Sequence, residues 1–218
     1  MQSVLGDPAL ERLLDGLHTA SRAEEEAVDR YFFHERTGPW LGMEPRDHAF
    51  MADKMIALER QKGEFCYMMC RATGARRVVE AGTSFGVSTL YLAAAMRDNG
   101  GGTVFASEYE PVKAGQARSN FQLSGLGGFI EFHEADIIEA CAMFEGPIDF
   151  VLFDIWGQVV RPVLDILLPR LRPGAVICTD GERSDGYAGL FEVLDDPAQG
   201  FRTMSVPFEG GLVFSLKL

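Results

Sequence analysis

Cysteine is scarce in this sequence, and its few copies do not form a ligand pattern. Only four occur among 218 residues, and Cys66 and Cys70 stand four apart within a helical segment. Cys141 and Cys178 each stand alone in apolar surroundings. Structural zinc sites and disulfide frameworks need closely spaced or repeated cysteines, so both are excluded here. We expect reduced, mostly buried thiols.

Basic residues are outnumbered, and long apolar runs are missing. The chain has 20 Lys and Arg against 32 Asp and Glu, which gives a net charge of −12. Nucleic-acid binding depends on a basic surface that displaces counterions, so a nucleic-acid partner is not expected. No apolar stretch approaches the length of a membrane span, and the first residues are acidic rather than basic. We therefore expect a cytoplasmic protein without a membrane partner.

The apolar content suffices for a full core, and its pattern divides the chain in two. Hydrophobic residues make up 47% of the sequence, enough for one α/β domain. Residues 1–46 are interpreted as a helical appendage outside the core, followed by a lid-like loop around Trp40. Residues 47–218 form the main domain. It opens with predicted helices over 47–60 and 62–72, and the charges of "LERQKGEF" are assigned to a solvated helix face.

From Arg76 onward, strand-like and helix-like segments alternate. Five such units predict a doubly wound, mostly parallel sheet with helices on both faces. The tail "FRTMSVPFEGGLVFSLKL" reads instead as two strands joined at Gly210 and Gly211. The fold class predicted is thus α/β, with a seven-stranded sheet, a C-terminal antiparallel hairpin at one edge, and a helical N-terminus.

The stretch "VVEAGTSFGVS" is a glycine-spaced turn between the first strand and a helix. Gly82 and Gly86 let the backbone approach a ligand, and the helix that follows offers free N–H groups. The spacing is not that of a dinucleotide fingerprint, because Glu80 occupies the position of its first glycine. The alternative is that both glycines only turn the chain.

Acidic residues end all five predicted parallel strands: Glu80, Glu108, Asp136, Asp154 and Asp180. Ligands of doubly wound sheets bind beyond these strand ends. One isolated acid would be interpreted as a helix cap, but five at equivalent positions indicate a ligand site.

Individual roles follow from position, with alternatives. Glu108 stands 22 residues after Gly86, where a carboxylate can accept from both hydroxyls of a ribose. Asp136 can accept from an exocyclic amine or can cap the next helix. Glu80 can meet a cationic amino group or the amides of the turn. Trp156 can wall a ligand pocket or lie in the core.

These motifs, taken in order, resemble the class I S-adenosylmethionine-dependent methyltransferases, specifically the catechol and caffeoyl-CoA O-methyltransferases. The resemblance covers residues 47–218 and rests on "VVEAGTSFGVSTLYLA", "VFASEYEP", "EAD", "DFVLFDIW", "TDG" and the terminal hairpin. It implies S-adenosylmethionine as cofactor, an oxygen of a small molecule as methyl acceptor, and a homodimer. A cofactor-binding protein of the same fold without transferase activity is the alternative.

The resemblance also implies how the cofactor lies. Its methionine part would contact Glu80, Gly82, Gly86 and Ser88, with Ser88 near the carboxylate. Glu108 would bind the ribose. The adenine region and the reacting end would involve Asp136, Asp154 and Trp156.

Metal-dependent members of that family hold a divalent cation with an Asp after strand four and an Asp-Asn pair after strand five. Asp154 and Asp180 match two of these positions. Gly181 stands in place of the Asn, and Gly157 stands where a Lys is expected. Glu182 could lend a replacement oxygen. We predict weak or absent Mg²⁺ binding, with Asp154 as the catalytic residue most sensitive to mutation.

Overall fold

A computed structural model describes residues 4–37, 43–181, 183 and 185–218, with the backbone alone at position 185. The described residues form a seven-stranded sheet. In chain order its strands are β1 (Arg77–Ala81), β2 (Thr103–Ser107), β3 (Ile130–His133), β4 (Ile148–Phe153), β5 (Leu171–Asp180), β6 (Phe201–Val206) and β7 (Leu212–Lys217). Their order across the sheet is β3-β2-β1-β4-β5-β7-β6. The predicted fold class is confirmed.

Strands β1 to β5 are parallel, and helices connect them. The helices of the described chain are α1 (Pro8–Arg30), α2 (Pro45–Met51), α3 (Arg60–Thr73), α4 (Val87–Asp98), α5 (Pro111–Ser124), α6 (Ile137–Met143), α7 (Gly157–Leu167) and α8 (Ala188–Leu194). A π-helical turn, Tyr31–Glu35, extends α1. Because Phe153 is in register with Thr179, Asp154 and Asp180 leave adjacent strands side by side.

The C-terminal hairpin forms as predicted. Strand β7 pairs antiparallel with both β5 and β6, which leaves β6 at the edge of the sheet. Gly210 and Gly211 both have positive φ, at 66° and 75°. This conformation costs glycine little and other residues more, which explains the two glycines at the turn.

Two apolar clusters cover the two faces of the sheet. One packs α1, α3 and α4 against the face that includes Val78 and Leu152. The other packs α6, α7 and α8 against the face that includes Val79 and Val151. Successive strand residues thus point to opposite, equally buried faces, as expected for a parallel sheet covered on both sides.

The N-terminal helix belongs to the core rather than lying outside it. Leu10 and Leu14 of α1 are buried in the same cluster as α3 and α4. Buried His18 shares a 2.9 Å hydrogen bond with the Tyr91 hydroxyl of α4. Burial lowers the pKa of His18 to about 4, with smaller contributions from the positive charges of nearby arginines. A neutral imidazole therefore serves this contact at physiological pH.

The helix predicted over residues 47–60 is wrong, because α2 ends at Met51 and α3 begins at Arg60. The backbone between them is tied to α1, since the Ala57 amide donates to the Ser21 hydroxyl at 2.9 Å. This tertiary hydrogen bond competes with the local helical pattern. The non-helical segment 55–58 is thereby held beside the turn that follows β1.

Across the described ranges, no helix combines the length and the apolarity that crossing a bilayer requires.

Candidate active site

The strand ends meet the glycine turn at a small cavity. It is lined by segment 55–58, by the turn 82–88 and by Asp154. The Asp154 amide donates to the Ala81 carbonyl at 2.9 Å, which fixes the start of the β4–α7 loop against the turn. The sequence predicted Glu80, Gly82 and Asp154 at this edge, but it gave no indication of segment 55–58.

Glu80 is fully buried near the end of β1, and one of its oxygens is unsatisfied. Its Oε2 accepts hydrogen bonds from the hydroxyls of Thr83, at 3.1 Å, and Thr89. Its Oε1 has no hydrogen-bond partner among the described residues. Burial raises the pKa of Glu80 to about 7, although hydroxyl donors including Ser88 oppose the shift. A buried, unpaired carboxylate oxygen indicates a cationic or hydrogen-bond-donating ligand.

Both predicted glycines are required by packing within the protein itself. Gly82 has φ +105°, and a Cβ there would lie 1.9 Å from the Asp154 carbonyl oxygen. Gly86 has φ +80°, and its Cβ would lie 2.4 Å from the Phe121 ring. These overlaps predict that a Val at either position would damage the fold, as the alternative that the glycines turn the chain implies.

We therefore expect Gly82→Ala to lower the free energy of unfolding by more than about 2 kcal/mol, through backbone strain and the clash with Asp154. Urea titration measures the change. Gly115→Ala is the matched control, because this glycine lies within helix α5 and its Cβ would meet no atom within 4 Å. That control should gain about 0.5–1 kcal/mol. Equal stability of Gly82→Ala and wild type would contradict this account.

Glu108 lies directly beyond β2, beside the turn. Its Oε2 accepts from the Ser84 amide at 3.0 Å, and its Oε1 accepts from the Glu110 amide at 2.8 Å. Ser84 has a positive φ of 49°, which is uncommon outside glycine. Each carboxylate oxygen can accept more than one hydrogen bond, so Glu108 can hold this turn and still receive hydroxyls.

For Asp136 and Trp156, the structure bears on the alternatives that the sequence left open. Asp136 caps α6, because its side chain accepts from the Ile138 amide at 2.8 Å and from the Glu139 amide at 3.4 Å. This is the capping role weighed for it. Trp156 is not in the core, since it is 41% exposed. Its ring centroid lies 6.2 Å from that of Phe32, so it faces the N-terminal segment.

That segment covers the strand ends, and we call its described residues, 31–37 and 43–51, the cover segment. Its Tyr31 ring stacks on Phe50 at 3.9 Å. The Met43 amide donates to the Gln158 side chain of α7 at 2.8 Å. Buried Arg36 pairs with buried Asp47 at 3.1 Å, and this ion pair ties the two parts of the cover segment together. The expected lid around Trp40 lies outside the described residues.

Asp154 and Asp180 lie next to each other, but their surroundings differ. Burial raises the pKa of Asp154 well above its usual value, and the charges of Asp180 and Glu80 raise it further. Asp180 instead accepts a hydrogen bond from Lys62 Nζ of α3, at 2.7 Å. Lys62 is only 3% exposed, so its assignment to a solvated helix face is wrong. Tyr187 donates to the Ile155 carbonyl at 2.6 Å and closes this side.

Comparison with known proteins agrees with this geometry. A family model described as a methyltransferase domain matches residues 79–181. A catechol O-methyltransferase from Mycobacterium tuberculosis is 32% identical over 142 residues, which are 65% of this chain and 63% of that enzyme. The part of the chain from β1 to the end of β5 is therefore similar to methyltransferase domains.

Two further proteins are similar to this chain. A catechol O-methyltransferase from Niastella koreensis is 28% identical over 152 residues, covering 67% of each chain. The crystal structure of an O-methyltransferase from Bacillus cereus, in complex with S-adenosylhomocysteine, superposes with a TM-score of 0.67. It covers 93% of this chain and 100% of that one at 19% identity, and so shows the shared fold.

The residues at this edge fit S-adenosylmethionine as a ligand, because the unpaired Oε1 of buried Glu80 calls for a cationic or hydrogen-bond-donating group such as the methionine ammonium. The same residues do not fit a divalent metal. Lys62 already donates to Asp180, and the described residues contain no group of three or more metal-ligating side chains. Glu182, considered as a third ligand, lies outside the described residues.

Proposed function

We propose that this chain transfers the methyl group of S-adenosylmethionine to an oxygen of a small-molecule acceptor. The observation that carries the proposal is the buried, unpaired Glu80 oxygen beside the turn after β1. A cationic amino group is the ligand that this carboxylate lacks. The catechol O-methyltransferases among the relatives favour oxygen as the acceptor atom.

In the proposed complex, Glu80 binds the methionine ammonium, and Gly82, Gly86 and Ser88 surround the amino-acid end. Glu108 binds the ribose hydroxyls while it holds the Ser84 amide. The adenine region lies toward Asp136, and Trp156 lines the reacting end with the cover segment. These roles rest on the order of the residues along the strand ends.

When bound, S-adenosylmethionine supplies an electrophilic methyl group on a sulfonium. An acceptor hydroxyl held in line would form the new O–C bond as the S–C bond broke, and the sulfur would leave as a neutral thioether. Asp154 takes the proton released by the hydroxyl, from its position beside the turn. The chain otherwise acts by aligning the two reactants and excluding water from them.

Two measurements test this function. Calorimetry should show binding of S-adenosylmethionine and S-adenosylhomocysteine. Labelled cofactor with a panel of phenols, catechols, carboxylates and amines should then show sustained turnover on an oxygen acceptor. Binding without turnover on any acceptor would favour the cofactor-binding alternative, and absence of binding would refute the proposal.

Glu108→Ala should weaken binding of both cofactor forms by about 1.5–3 kcal/mol, because the ribose is common to both and loses a charge-assisted, two-point contact. The exposed Glu139→Gln variant is the control. Glu108→Ala also removes the acceptor of the Ser84 amide. Thermal melting must therefore be measured alongside the binding titration. Unchanged affinity for both ligands would show that Glu108 does not bind the ribose.

We further propose a cytoplasmic homodimer in which Mg²⁺ binding is weak or absent. Phe33 supports an interface, because it is 77% exposed on the π-helical turn and an exposed aromatic side chain is favourable in protein contacts. Sedimentation at micromolar concentration tests this assembly. A monomer under those conditions would contradict it.

A further inference from the structure

Lys62 is a buried cation at the carboxyl end of the sheet, supplied by a helix distant in sequence. Its Nζ lies 2.7 Å from Asp180 Oδ1 and 3.8 Å from Glu59 Oε2. The β6–β7 turn packs over it, since a Cβ on Gly210 would lie 3.3 Å from Nζ. An ammonium has three donors, and the contact with Asp180 uses one of them.

Gly157, the first residue of α7, explains why the β4–α7 loop supplies no lysine to this end of the sheet. A Cβ on Gly157 would lie 2.0 Å from the Gly186 carbonyl oxygen. Any side chain at this position would therefore displace the turn formed by Asp185–Tyr187. Positive charge at this end of β4 and β5 must therefore come from another element, and Lys62 of α3 supplies it.

Lys62 also competes directly with a metal ion. Asp154 and Asp180 lie at the ends of the adjacent strands β4 and β5, and a divalent cation between them would need Asp180 as a ligand. The ammonium on Asp180 removes that ligand and would repel the incoming cation at short range. Gly181 adds no side-chain oxygen to compensate.

We propose that Lys62 is the fixed cation of the acceptor site, placed on Asp180 to do the electrostatic work that a divalent metal does in metal-dependent relatives. This inference rests on the proposed function. The ammonium stabilises negative charge on the acceptor oxygen as the methyl group is transferred, and the proton of the acceptor leaves to Asp154. No oxidant, reductant or further reactant is required.

The test compares the wild-type chain with Lys62→Met and Lys62→Arg. Mn²⁺ binding is followed by electron paramagnetic resonance, which does not depend on knowing the acceptor. Wild type and Lys62→Arg should not bind Mn²⁺ saturably. Lys62→Met should bind Mn²⁺ at least about tenfold more tightly than wild type does, because Asp154 and Asp180 have lost the cation beside them. Lys54→Met is the control, since it removes a positive charge from a surface ion pair with Asp53.

Calorimetry with S-adenosylhomocysteine separates this inference from the proposed function, and it also shows that each variant is folded. Once an acceptor is identified, the kcat of Lys62→Met should be more than about tenfold below that of wild type, with little change in KM for the cofactor. Added Mg²⁺ should restore part of that loss. Lys62→Gln replaces Lys62→Met if the latter does not fold. Saturable Mn²⁺ binding by wild type that Asp180→Asn abolishes, or equal Mn²⁺ binding by wild type and Lys62→Met, would overturn the inference.

Discussion

Glu80→Gln is expected to abolish detectable binding of S-adenosylmethionine while stabilising the ligand-free protein at alkaline pH. The amide keeps the shape of the side chain and can accept from Thr83 and Thr89. It removes the charge that the methionine ammonium would meet, and its NH₂ group would oppose that cation. A buried, charge-assisted pair of this kind typically costs several kcal/mol when one partner is lost.

The stability effect has a defined sign. The pKa of Glu80 is raised from 4.5 to about 7 in the folded protein, so the native state holds a proton that the unfolded state has lost. The contribution of Glu80 to stability is therefore fully present below pH 4.5 and is lost as pH rises through about 7. The loss approaches about 3 kcal/mol, and Glu80→Gln should not show it.

Urea titrations of both proteins between pH 5 and pH 8 measure this difference, since the other titrating groups are common to both. The gap in unfolding free energy should widen in favour of the variant as pH rises. The exposed Glu139→Gln should follow wild type at every pH. Parallel curves for wild type and Glu80→Gln would show that Glu80 is not a strained buried acid, and unchanged cofactor binding would remove its assigned role.

Asp154→Asn is expected to reduce turnover by about 10²–10⁴-fold, the range lost with a general base. The substitution keeps the side-chain volume, and the backbone contacts of residue 154 with Ala81 and Gly82 are unaffected. Binding of S-adenosylhomocysteine should therefore weaken much less than turnover falls. Because burial raises the pKa of Asp154, wild-type turnover should also fall as pH is lowered and the carboxylate takes up a proton.

Initial rates across pH, together with calorimetry, provide the measurement. Asp165→Asn is the matched control, because Asp165 is a surface residue of α7 that pairs with Arg161 at 2.8 Å. Turnover within a few-fold of wild type in Asp154→Asn would assign the proton transfer to another group. Chelation by EDTA should leave wild-type turnover intact. Complete loss in EDTA, restored by Mg²⁺, would instead indicate metal dependence despite Gly181.

The sequence predicted the parts of the site that local pattern determines. Glu80, Glu108 and Asp154 were predicted at one edge because acids at the ends of parallel strands meet there, and the hairpin was predicted from Gly210 and Gly211. Lys62 was missed because its partner Asp180 is 118 residues away, and nothing local distinguishes it from a solvated lysine.

Other misses have the same origin. The break after Met51 depends on a hydrogen bond from Ala57 to Ser21, which a helical pattern in residues 47–60 does not reveal. The need for glycine at position 82 comes from the Asp154 carbonyl, a neighbour created by the pairing of β1 with β4. In each case the deciding contact joins segments that only the fold brings together.

The short connection between α2 and α3 has a kinetic consequence. Segment 55–58 lines the cavity beside the turn, and it is continuous with the cover segment on one side and with the helix of Lys62 on the other. If the proposed cofactor sits against this connection, it would set the position of both before an acceptor arrives. Steady-state kinetics should therefore follow a compulsory order, with S-adenosylmethionine first to enter and S-adenosylhomocysteine last to leave.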